Sequence, residues 1–84
     1  MPDSKNDAQT ALASLPVKAG QHYRHFKGGE YKIMAVGLKE DTLEPLVIYH
    51  NPAKDTVWVR TAENFLETVE REGKVYKRFT LIQE

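Results

Sequence analysis

Apolar and polar side chains alternate along most of the chain after Gly20, and scarcely do so before it. Residues 1–19 mix Asp, Ser, Asn, Gln, Thr and Ala with two prolines and have no aromatic side chain. Such a segment offers little surface to bury and reads as a flexible N-terminal arm. A weaker pattern runs through it. Ala8, Ala11, Leu12 and Leu15 share one face of a helix from about Lys5 to Ser14, with Ser4 and Asp7 as a faint capping signal. A lone helix of that length is marginal in water, so disorder is expected unless Leu12 and Leu15 dock on the domain.

From Gly20 onward, aromatic and β-branched runs are separated by turn signals. His22 to Phe26 reads as a first strand, closed by Lys27-Gly28-Gly29, where glycine tolerates the positive φ of a tight hairpin. Glu30 to Leu38 is a second strand, with Tyr31, Ile33 and Ala35 on one face and Lys32, Met34, Val36 and Leu38 on the other. A third runs from Leu46 to His50 behind Pro45, which is tolerated at a strand start. Asn51 to Asp55 is a loop, and Thr56 to Arg60 a fourth strand. At Thr61 the period changes: Ala62, Phe65, Leu66 and Val69 recur at helical spacing, with Thr61 placed to cap. One or two helical turns are expected there. Glu72-Gly73-Lys74 breaks the chain, and Val75 to Ile82 forms a last strand.

Five short strands and one helical turn in residues 20–84 predict a mainly β domain, a small, strongly bent sheet or barrel behind the arm. Its expected core is Phe26, Tyr31, Ile33, Ala35, Leu46, Ile48, Val57, Val59, Phe65, Leu66, Phe79 and Leu81. A chain of 84 residues holds one such domain.

Charge narrows the choice of partner. Twelve basic residues balance twelve acidic ones, whereas nucleic-acid binders usually carry a basic excess. Nucleic acid is therefore an unlikely partner overall, although a local basic patch stays open. The longest apolar runs, Leu46 to Tyr49 and Met34 to Val36, fall far short of the roughly 20 residues of a membrane helix. The chain start lacks the basic and apolar parts of a secretory leader. Cysteine is absent, which excludes disulfides and thiolate metal sites and fits a cytoplasmic protein.

Several motifs then occur in a fixed order: Tyr23-Arg24-His25-Phe26-Lys27-Gly28, Thr42-Leu43-Glu44-Pro45-Leu46-Val47-Ile48-Tyr49, Trp58-Val59-Arg60, Phe65-Leu66-Glu67 and Arg78-Phe79. In these the chain, from about Gly20 to Glu84, resembles the bacterial domain-of-unknown-function family numbered 1653. The resemblance implies a small SH3-like β-barrel and no particular activity. Where that family often has proline after Trp-Val-Arg, this chain has Thr61, a departure that bears on the helix start and not on the fold.

Candidate chemistry is concentrated in the strands. His22 and Arg24 point to one face, Tyr23 and His25 to the other, so the His-x-x-His pair is poorly placed to grip one metal. Half-exposed, hydrogen-bonded histidines are the plainer expectation, with no metal and no cofactor. Arg24, Arg60 and Arg78 lie beside aromatics, where a long cation is costly to bury without a partner. Glu44, Glu63 and Glu67 are candidate partners in structural ion pairs. Alternatively, an arginine flanked by Tyr23, Tyr49 or Trp58 offers its fork to a carboxylate or phosphate.

The sequence supplies no cysteine nucleophile and no phosphate-binding loop; Ser4 and Ser14 lie in the arm. The first expectation is thus a non-enzymatic binding module using an aromatic-plus-arginine face of Tyr23, Arg24, His25, Tyr49, Trp58 and Arg60. Its partner would be a peptide, another protein or a small anion. Two rivals remain: an enzyme using Glu44, His50 or Glu63 as acid and base, and a barrel that stacks single-stranded RNA on its aromatics.

Overall fold

A computed structural model describes residues 4–84, and side chains from residue 7 onward. The order of elements is α1 (Ser4–Ala13), β1 (His22–His25), β2 (Glu30–Leu38), β3 (Pro45–Asn51), β4 (Thr56–Thr61), α2 (Ala62–Phe65), β5 (Thr68–Arg71), β6 (Lys74–Lys77) and β7 (Phe79–Gln83). Five strands form one antiparallel sheet in the order β4-β3-β2-β1-β7, and β5 pairs with β6 as a separate hairpin. The fold is mainly β.

The sheet curls without closing, since β4 and β7 lie at its two ends and do not pair. In a flat sheet β3 and β7, three places apart, would be roughly 14 Å from each other. Instead the Tyr49 and Phe79 rings lie 5.3 Å apart. Phe79 also stacks on Phe65 of α2, with centroids 4.1 Å apart and planes at 7°. The edges of Tyr23 and Tyr49 meet the Phe65 ring at 5.1 and 5.5 Å. Aromatic rings thus fill the inside of the curl, joined by Val17, Ile33, Val47 and Ala62.

Ile33, Phe65 and Phe79 are buried as expected, but other core positions differ for three identifiable reasons. The first is a register shift between Ile33 and Ala35, opposite Tyr49 and Ile48, which makes Met34 a bulge. Beyond it the faces of β2 exchange: Val36 packs against the core and Ala35 is exposed. The second is the parity of β3, where Val47 and Tyr49 turn inward and Leu46 and Ile48 are only half-buried. Val59 pairs with Ile48 and Val57 with His50, so these two residues of β4 stand on the outer face, 58% and 53% exposed.

The third reason lies in the N-terminal segment. Residues 1–19 were expected to bury little surface unless Leu12 and Leu15 docked, yet Val17 is fully buried. The Gly20 N–H donates to the Ile33 carbonyl, and the Ile33 N–H to that of Gln21, so pairing with β2 begins ahead of β1. Of Leu12 and Leu15 it is Leu15 that packs against the core, and the helix that was the alternative to disorder is present, over Ser4–Ala13. The Ser4 side chain, read as its cap, lies outside the described residues.

Thr61 caps α2 as expected, its hydroxyl accepting the Asn64 N–H at 3.2 Å. The helix is a single turn, because the chain turns back at Thr68 to form a hairpin where helical spacing had been read as far as Val69. The expected last strand is therefore two strands, β6 and β7, broken at Arg78. Glu72 and Gly73 both have positive φ, at 54° and 77°, the backbone of the tight two-residue turn that joins β5 to β6.

Candidate functional site

The end of β1 carries His25 and Phe26 to the edge of the curl, where the β5–β6 hairpin stands beside them. Between hairpin and sheet lies a cleft of about 520 Å³. His25 and Phe26 line it from the sheet, Thr68 to Arg71 line it from β5, and Arg60 and Arg78 enter from β4 and the β6–β7 junction. Four cations, Lys27, Arg60, Arg71 and Arg78, meet two carboxylates there, Glu67 and Glu70. In a chain with no net charge this concentrates positive potential at one place.

Each arginine is held differently. Arg60 donates from Nε to the Tyr49 hydroxyl at 2.8 Å and from Nη1 to the Asn64 side-chain oxygen. Asn64 in turn donates to Glu67 Oε2 at 3.2 Å. The Arg60 guanidinium lies 5.8 Å from the centroid of the Phe79 ring, so the core itself supports this wall. Arg78 has a long ion pair to Glu67, at 3.9 Å, and its buried Nε has no hydrogen-bond partner. Arg71 and Lys27 sit 5.6 and 5.8 Å from the Phe26 ring centroid.

His25 registers the resulting field. Burial first, and then the positive charges of Arg60, Arg78 and Lys27, hold its pKa below the ordinary 6.5. The Lys27 N–H donates to His25 Nδ1 at 3.1 Å, an acceptor role open only to the neutral ring. Burial raises the pKa of Tyr49 above 10.0 against the opposing effect of its bond from Arg60, so its hydroxyl stays protonated near neutrality.

The six residues expected to share a binding face are divided by the structure. His25 and Arg60 line the cleft, and Tyr49 supports Arg60 from within the core at 3% exposure. Tyr23 is also a core residue, at 5%, with its hydroxyl on the buried Gln21 side chain. Arg24 points elsewhere, toward Glu30 at 3.7 Å, into a neighbouring hollow. Trp58 is half-exposed on β4 and lies outside the cleft. The sequence had marked Arg78 and Glu67 as a possible pair but gave no role to Lys27, in the turn after β1, or to Arg71, which the hairpin brings in.

The acid–base candidates do not converge. Glu44 bonds Thr42 in the β2–β3 connection, and His50 bonds Asp55 at 2.8 Å. Glu63 lines a separate hollow with Thr61, Asn64 and Glu67. No three of His, Asp and Glu group as metal ligands would among the described residues. No described helix is long and apolar enough to cross a membrane.

Comparison with known proteins adds kinship. Residues 21–81 match the model of a family described as "Protein of unknown function (DUF1653)". The chain belongs to this family. Its fold is similar to the crystal structure of a DUF1653 protein from Bordetella bronchiseptica, with a TM-score of 0.70 and 24% identity. The likeness covers 81% of this chain and 90% of that one. No curated protein matches. DUF1653 membership names no ligand.

Proposed function

We propose that the protein is a small, non-enzymatic binding module that holds an anionic group, carboxylate or phosphate, in the arginine cleft. The observation that carries this reading is the convergence of Lys27, Arg60, Arg71 and Arg78 on one cleft against only two carboxylates. Like charges held together cost stability until something neutralises them, and an oxyanion is the acceptor that guanidinium forks fit best. Arg60, fixed by Tyr49 and Asn64, presents a second fork that is already oriented. The supporting frame is read as SH3-like and the setting as a bacterial cytoplasm, which suits a chain without cysteine.

The test is NMR of the arginine Nε–H groups during titration with citrate and, separately, inorganic phosphate at fixed ionic strength. Arg78 and Arg60 should shift together and saturate in the millimolar range or tighter. Arg78→Met should weaken binding at least tenfold. Signals at both arginines that stay unmoved by either anion would remove the proposal's basis.

A further inference from the structure

We infer that the anion taken by the cleft belongs to an extended acidic peptide whose chain continues over His25 and Phe26 into the neighbouring hollow. This rests on the anion-binding reading above and narrows its ligand. The second hollow, of about 270 Å³, shares His25 and Phe26 with the first. Its charged lining residues are Arg24 and Lys77, with no carboxylate among the residues that line it. Tyr76 and Ile82 add apolar surface, 42% and 40% exposed. The hairpin serves both hollows, β5 lining the first and β6 the second.

Two cationic hollows joined across a ridge fit a ligand with two separated negative charges and an apolar group beside the second. An acidic side chain binds among Arg60, Arg71 and Arg78, an apolar one lies against Tyr76 and Ile82, and a second carboxylate reaches Arg24 and Lys77. Glu67 and Glu70 favour a peptide over a nucleic acid here. A carboxylate oxygen is able to accept from a backbone N–H, which a peptide offers, and repels the phosphate that a nucleic acid carries at every step. Phe26 is also a poor stacking platform, since Lys27 and Arg71 already approach its ring.

The experiment compares two synthetic peptides of equal length, one all Glu and one alternating Glu with Phe, by fluorescence anisotropy at fixed salt. The alternating peptide should bind at least tenfold tighter. Tyr76→Ser should erode that advantage, and Arg24→Gln and Lys77→Gln should each weaken both peptides, while citrate binding at Arg78 stays in place. All three positions are exposed, so the variants keep the fold. Equal affinity for the two peptides, an advantage that survives Tyr76→Ser, or affinities untouched by both Arg24→Gln and Lys77→Gln, overturns the inference but spares the anion site if citrate still binds. Tighter binding of a single-stranded oligonucleotide than of either peptide also overturns it. Failure of citrate and both peptides removes the site itself.

Discussion

The curled sheet and the β5–β6 hairpin are built on opposite terms. Inside the sheet, Ile33, Val47 and Phe65 are almost or wholly sealed from solvent and rings meet edge to face. Along the hairpin strands no residue is buried, and Val75 stands 68% exposed. Yet the hairpin supplies Arg71 and the outer wall of the cleft, which needs the sheet's Arg60 to be complete. Stability therefore resides in one region, and the binding surface is shared with a region that contributes little to it.

The widest test of that contrast sets Phe79→Ala beside Val75→Ala. Phe79 stacks on Phe65 and touches Tyr49, and its loss should cost about 3–5 kcal/mol in chemical unfolding, near the whole stability of so small a domain. Val75→Ala should change it by less than about 0.5 kcal/mol. Equal costs would break the division. Next is Gly73→Ala, which forces a side chain onto a φ of 77° and should cost about 1 kcal/mol, confined to the hairpin. Amide exchange should quicken from Thr68 to Lys77 and stay unchanged in β2 and β3. Exchange that quickens in both regions would show that they open as one unit.

The smallest effect is a pH dependence at their junction. Folding lowers the pKa of His25 below its unfolded value of 6.5, so the unfolded chain binds more protons between the two values. Stability should rise with pH through that window and level off above about 6.5. His25→Gln should flatten this part of the curve. Citrate in the cleft should raise the His25 pKa by offsetting Arg60 and Arg78, and an unchanged NMR titration with citrate bound would show that the ring does not sense the site.

How much of this the sequence showed depended on whether alternation was legible. Glu30–Leu38 and the Thr61 cap stand where the pattern put them because hydrophobicity switches period clearly there. Leu46 to Tyr49 is apolar at every position, so either face was equally good and the inward pair could not be chosen from the pattern. Val17 sits alone in a polar segment and has no period to reveal it. The hairpin was missed because Phe65, Leu66 and Val69 have helical spacing, and its Glu-Gly turn lacks the Asn-Gly or Asp-Gly that advertises such a connection. That omission hid half the candidate site. Arg60, Arg78 and Glu67 drew notice as charges among strand residues, whereas Arg71 lay in an apparent helix tail.

The bulge in β2 bears on what evolution or an engineer can cut. Ile33 faces Tyr49 and Ala35 faces Ile48, so Met34 is surplus to the count of its partner strand. Excising it joins Ile33 to Ala35 and Val36 in a simple alternation that still sends Ile33 and Val36 inward. Excising Lys32 instead slides Ile33 out of step with Tyr49 and throws its side chain to the wrong side. Met34 is dispensable as a unit of length, while Lys32 two residues earlier, exposed and polar, is not.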